Sequence, residues 1–218
     1  MQVDAVVFDF DGIILETEEP LYRAWREIFE AHGATLSIEE WAVSIGSSDH
    51  MDPVAVLEAR TGQALDASDL HRRRKARRDS ILAEMEMAEG VADCLRQAHD
   101  MGLPLGVASS SDRRWVEGHL ERLGLLKWFS AVSCVDDVGV AKPSPLVYLH
   151  VLDRLGVAAE RAVAFEDSHN GLVAAKAAGM RCIVVPTVMT GHMDFSLADR
   201  VVATLHRLPL AELLASLD

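Results

Sequence analysis

The sequence predicts an α/β fold: a doubly wound parallel sheet, covered by helices on both faces, with a helical domain inserted near its start. Three observations carry this. From Gly90 onward, short β-branched runs alternate with helical stretches that each close on a glycine, the rhythm of a parallel sheet with helical crossovers. Ahead of that region, the apolar run Ala5–Phe8 suits one more buried strand. Between the two, residues 18–89 keep a helical pattern. We therefore expect a core of residues 1–17 and 90–218, and a helical domain of residues 18–89.

Each element has its own signal. In the inserted stretch, Leu21, Trp25, Ile28 and Phe29 share one helical face between Pro20 and Gly33. Ser37 with Glu40 forms a capping-box pattern, and Asp52-Pro53 opens a helix that Gly62 can end. A longer charged helix is expected from Ser68 to about Met87. In the core, a helix from Val91 stops at Gly102, and a strand runs over residues 105–108. Asp112 caps a helix ending at Gly124, and residues 131–134 read as a strand. Ser144-Pro145 starts a helix that stops at Gly156. Residues 162–165 form a strand, a further helix ends at Gly179, and residues 182–185 form the next strand.

Composition narrows the function. The chain has 218 residues, half of them hydrophobic, enough for one large domain or a domain with an insertion. Its 34 acidic residues outnumber 21 basic ones, for a formal charge of −13. That balance argues against a nucleic-acid partner, which needs dense Lys and Arg. No apolar run approaches the roughly 18 residues that span a bilayer, so no membrane role is expected. The N-terminus has no basic flank before its first strand and does not read as a signal peptide. Cys94, Cys134 and Cys182 are scattered in apolar stretches, the pattern of buried reduced thiols in a cytoplasmic protein. Oligomeric state is not readable from these features.

The chemistry gathers at strand ends. The first strand delivers Asp9-Phe10-Asp11-Gly12, and a later one Ser109-Ser110-Ser111. The loop after Cys134 carries Lys142-Pro143, and a further strand delivers Glu166-Asp167-Ser168. Open α/β sheets bind ligands beyond the carboxyl ends of their strands, so these groups can share one cleft. Clustered carboxylates need a cation, and an all-oxygen site facing a phosphate suits Mg²⁺. One aspartate can then attack phosphorus and the other can move the proton. Lys142 and the Ser109 hydroxyl would balance the phosphoryl oxygens. Taken singly, Asp9 and Asp11 fit a turn, Ser109 fits a helix cap, and Lys142 fits the surface. Only their company promotes them.

In these motifs the chain resembles the haloacid dehalogenase superfamily of aspartate-nucleophile hydrolases, in the subgroup with a helical cap. Asp9-Phe10-Asp11-Gly12 with Thr17-Glu18 matches the first motif and Val107-Ala108-Ser109-Ser110 the second. Lys142-Pro143-Ser144-Pro145 matches the third. Phe165-Glu166-Asp167-Ser168, with Gly171 and Ala177-Ala178-Gly179, matches the fourth. The resemblance implies a Rossmann-like core, Mg²⁺ as cofactor and a small phosphorylated metabolite as substrate. It makes Asp9 the nucleophile and a metal ligand, and Asp11 the acid/base that lends its backbone carbonyl to the metal. Asp167 is then a direct ligand, Glu166 a ligand through water, and Ser109, Ser110 and Lys142 bind phosphate. Glu16 departs from the family, which usually has Asp there.

The leading expectation is a phosphatase acting through an aspartyl-phosphate. A β-phosphoglucomutase-like phosphotransferase shares every core motif and is the alternative. A dehalogenase would lack Asp11, and a non-catalytic binding module would have no need of Asp9. Mutase-like relatives carry a histidine shortly after the first motif and a cap arginine; here Leu21 falls at the first position and Asp49 near the second, with His50 beside it. Glu18, His50 and Arg77 are the candidates for substrate specificity. Arg74 and Arg77 share a helical stripe with Leu70 and Ile81. Their stems are expected along apolar surface, or a guanidinium faces an anionic substrate.

Overall fold

A computed structural model of the chain describes residues 3–45 and 51–217. His50 and Asp49 lie outside the described residues. In chain order the elements are β1 (Ala5–Phe8), α1 (Glu18–Ala31), α2 (Ile38–Ser44), α3 (Pro53–Thr61), α4 (Ala67–Glu84), α5 (Val91–Asp100), β2 (Leu105–Ala108) and α6 (Arg113–Arg122). There follow β3 (Ala131–Ser133), α7 (Val135–Val138), α8 (Leu146–Leu155), β4 (Ala162–Glu166), α9 (His169–Ala177), β5 (Arg181–Val184), β6 (Arg200–Val201) and α10 (Leu210–Ala215). Two compact units emerge: Met1–Leu15, Glu86–Thr187 and Met193–Asp218 in one, Glu16–Met85 with Val188–His192 in the other.

The first unit is built on a six-stranded sheet in the order β3-β2-β1-β4-β5-β6, with every pairing parallel. Strands β1, β2, β3 and β4 are buried along their whole length, as an α/β sheet covered on both faces requires. The chain builds outward from β1 through β2 to β3, then returns to β4 on the other side of β1. That reversal opens a crevice at the carboxyl ends of β1 and β4, the place where such sheets bind ligands. Register sets the motif loops level with one another. Phe8 pairs with Phe165, their rings stack with centroids 5.1 Å apart, and Asp9 N–H donates to the Phe165 carbonyl at 2.9 Å.

The second unit is helical, and its caps are local. Glu16 Oε1 accepts the Glu18 and Glu19 N–H groups at 2.9 and 3.2 Å, so the longer side chain at this position caps α1 while Thr17 makes no side-chain cap bond. Ser37 and Glu40 form the reciprocal capping box of α2. Asp52 caps α3 ahead of Pro53, and Gly62 closes that helix in the left-handed region at φ +69°. The interior is a cluster of Tyr22, Trp25, Ile28, Phe29, Leu57 and Leu70, joined by Met189 from the Val188–His192 segment. Full burial of Phe29 or Leu57 is worth roughly 1.5–3 kcal/mol each.

β6 and α10 were not foreseen. The two residues of β6 are exposed, and α10 is only six residues long, so neither carries a readable period. Cys94, Cys134 and Cys182 are buried free thiols. Burial pushes the Cys94 and Cys134 thiols up to about 12, which leaves them unreactive. No described helix is long and apolar enough to cross a membrane.

Candidate active site

The motif side chains converge at the carboxyl ends of β1, β2 and β4. Asp9 follows β1, Glu166 ends β4, and Asp167 comes next; their exposures are 7%, 0% and 5%. One oxygen from each of these three carboxylates lies within 4.8 Å of the others. Two glycines permit the approach. Gly12 adopts φ +85°, and a Cβ there would lie 2.2 Å from Asp167 Oδ2. A Cβ at Gly171 would lie 1.9 Å from Glu166 Oε2. Any other residue at either position would displace a carboxylate.

Lys142 answers that negative charge. Its Nζ donates to Asp9 Oδ1 at 2.7 Å, to Glu166 Oε1 at 2.6 Å and to the Ala108 carbonyl at 2.8 Å. It also stands 4.9 Å from the centre of the Tyr148 ring. Burial works against the ammonium, yet Asp9 and Glu166 outweigh it and raise its pKa. For Asp9 the balance goes the other way. Burial first, and the Glu166 charge second, push its carboxyl up to about 8 against the pull of Lys142. One ammonium does not neutralise two buried carboxylates.

Glu166 is held on both sides. Oε1 accepts from Lys142 and from the Tyr148 hydroxyl at 2.5 Å, and Oε2 from the Ser168 hydroxyl at 3.3 Å. Burial and the neighbouring Glu166 keep the Tyr148 phenol protonated, well above its ordinary range. Asp11 occupies a different setting. Ser111 donates to its Oδ2 at 2.7 Å, Ser109 to the same oxygen at 3.3 Å, and the Trp115 indole N–H to Oδ1 at 3.1 Å. Ser109 is fully buried, and its Oγ also accepts the Ser111 N–H at 3.0 Å. The Ser110 hydroxyl accepts the Lys142 N–H at 3.0 Å, tying the second motif loop to the third.

Asp9, Asp11, Ser109, Ser110, Lys142, Glu166 and Asp167 are thus brought together. Sequence reasoning placed Ser111 at this strand end without giving it a role, and it missed Trp115 and Tyr148, which lie on helices and belong to no motif. Of the specificity candidates, Glu18 and Arg77 belong to the helical unit, and His50 lies outside the described residues. Glu18 begins α1 and is half-buried. The Arg77 guanidinium is held within the helical unit, where its Nε and Nη2 donate to Glu27 at 2.7 and 2.9 Å. The pattern of α4 alone does not show this α1 carboxylate.

Residues 3–179 match the family model of haloacid dehalogenase-like hydrolases. The protein YhcW of Bacillus subtilis is 40% identical over 216 residues, spanning 99% of this chain and 98% of the relative. Fructose-1-phosphate phosphatase YqaB of Escherichia coli is 32% identical over 180 residues, 83% of this chain and 95% of the relative. Among solved structures, a CbbY variant from Rhodobacter sphaeroides in complex with xylulose-(1,5)bisphosphate is similar at TM-score 0.75 and 35% identity, covering 100% of both chains. The chain belongs to the haloacid dehalogenase-like hydrolase family, and it is an enzyme of the phosphatase kind, a hydrolase of phosphate esters.

Proposed function

We propose that this chain is a Mg²⁺-dependent phosphatase of small phosphorylated metabolites of the sugar phosphate type, working through a phosphorylated Asp9. The observation that carries the reading is the buried cluster of Asp9, Glu166 and Asp167 at the sheet's reversal point, whose three carboxylates are offset by the single ammonium of Lys142 and so lack the charge of a divalent cation. All three donors are carboxylate oxygens, the set a hard divalent cation prefers. Asp9, Asp167 and the Asp11 backbone carbonyl would hold Mg²⁺, with Glu166 acting through water. Bound there, the ion supplies the missing charge and keeps Asp9 ionised at neutral pH.

The steps then follow from the chain's own groups. Asp9 attacks phosphorus, forming a new P–O bond while the ester P–O bond breaks. Asp11 passes a proton to the departing oxygen. In the second half, Asp11 takes a proton from water as that water attacks phosphorus, which releases inorganic phosphate and restores Asp9. Lys142, already on Asp9 Oδ1, together with Ser109 and Ser110 balances the phosphoryl oxygens.

The sugar phosphate class is supported by the named substrate of YqaB and by the ligand of the CbbY complex. The helical unit is proposed as the cap that sets specificity. Water as the final acceptor is supported by Leu21, which packs against the apolar cluster of that unit and offers no proton to a sugar hydroxyl. The test is a phosphate-release screen over phosphorylated metabolites, with β-glucose 1-phosphate followed separately. The reading predicts free phosphate from one or more sugar phosphates. Glucose 6-phosphate forming much faster than inorganic phosphate would make the chain a phosphotransferase instead.

A further inference from the structure

Asp11 is gripped by a residue that no motif contains. Trp115 stands in the first turn of α6 and is half-buried. Its backbone N–H donates to Asp112 Oδ1 at 2.8 Å, which fixes the helix start. One turn on, His119 meets the indole edge to face, with ring centroids 4.5 Å apart at 74°. Held this way, the indole N–H reaches Asp11 Oδ1 at 3.1 Å, while Ser111 takes Oδ2 at 2.7 Å. A half-buried tryptophan at a helix start is ordinarily packing, its N–H left to water. This one donates to the carboxylate that must move a proton twice.

An indole N–H only donates. It does not shuttle the proton, and it is directed at Asp11 Oδ1, so what it supplies is orientation. A carboxylate with separate fixed donors on its two oxygens has one rotational setting. Ser111 and Ser109 both act on Oδ2, and Trp115 donates to Oδ1. General acid catalysis depends on this geometry, because the proton must lie within hydrogen-bond reach of the departing oxygen. We infer that Trp115 is a positioning residue that sets Asp11 for proton transfer to the leaving group. The inference rests on the phosphatase reading above.

Leaving groups provide the test. An alkyl phosphate expels a poor leaving group that needs its proton, whereas 2,4-dinitrophenyl phosphate expels a stable phenolate that does not. The measurement is kcat/KM for both esters with native enzyme and with Trp115→Phe, saturated with Mg²⁺. The expected result is a loss of about tenfold on the alkyl ester and less than about twofold on the dinitrophenyl ester. Equal loss on both, or loss on neither, overturns the assignment. Should Trp115→Phe fail to fold, the tryptophan analogue with sulfur in place of the indole N–H keeps the bicyclic shape and carries the same prediction. Asp9→Asn run in parallel separates the two failures. An active Asp9→Asn enzyme sinks the phosphatase reading; an inactive Asp9→Asn enzyme together with an unchanged ester ratio in Trp115→Phe sinks only the role of Trp115.

Discussion

Ion pairs of nearly equal length stand in both units of this chain. In the sheet unit Lys142 meets Asp9 at 2.7 Å and Glu166 at 2.6 Å, with the lysine side chain 5% exposed. In the helical unit Arg77 meets Glu27 at 2.7 Å, with side chains 41% and 36% exposed. Distance does not rank them. Water screens the second pair and competes for its bonds, so its contribution is small. The Lys142 cluster has lost its hydration: Asp9 and Glu166 keep the ammonium charged, while Lys142 alone does not offset the burial of Asp9. Burial therefore separates a site that must stay intact from a contact that can be exchanged.

The largest expected effect breaks the comparison on its buried side. Exhaustive chelation should abolish turnover, and Mg²⁺ should restore it, whereas Ca²⁺ should bind and support little, because its larger and looser coordination misplaces nucleophile and phosphate. Full activity after chelation, checked by phosphate release, would show that Lys142 alone balances the carboxylates.

Next comes Lys142→Met, which leaves Asp9 and Glu166 buried together without their ammonium. Stability should fall by about 3 kcal/mol, measured by denaturant unfolding without metal. Adding Asp9→Asn to that variant should recover part of the loss, since one of the two stranded carboxylates is then gone. Absence of any recovery would mean that lost packing, not uncompensated charge, explains the fall.

The smallest effect belongs to the exposed pair. The hydrogen bond from Arg77 holds the Glu27 carboxyl below its ordinary range, against a modest burial penalty. A lowered folded-state pKa gives stability that is present above the unfolded carboxyl value and is lost as pH falls through the folded one. Melting of Glu27→Gln should therefore match the native chain below the usual carboxylate range and lie slightly below it at neutral pH. High salt should shrink the gap. Arg77→Ala should leave KM for the best substrate unchanged. A raised KM with unaltered melting would return Arg77 to the substrate.

The same contrast explains how much could be read in the sequence. The strand ends were legible because a parallel sheet places consecutive motif loops at one edge, so Asp9, Ser109, Lys142 and Asp167 needed only their local neighbours to be found. The helix starts at Ser37 and Asp52 were legible for the same reason, being closed within a few residues. Arg77 was not, because its partner Glu27 lies 50 positions away on another helix. Trp115 and Tyr148 escaped because their rings fit helix packing as well as they fit a site. Only the polar ends, 3.1 Å from Asp11 and 2.5 Å from Glu166, distinguish the two uses. β6 was hidden because two exposed residues carry no period.

If Asp9 is the attacking group, a phosphorylated Asp9 can be trapped. Enzyme with Mg²⁺ would be mixed with its best substrate, quenched in acid within one turnover, digested, and the peptides weighed. A phosphate-sized mass increment is expected on the peptide that carries Asp9, absent from Asp9→Asn, whose turnover should drop by more than about a hundredfold, a loss above ~3 kcal/mol. An increment on any other residue, or an Asp9→Asn enzyme within about a hundredfold of native turnover, would contradict that role of Asp9.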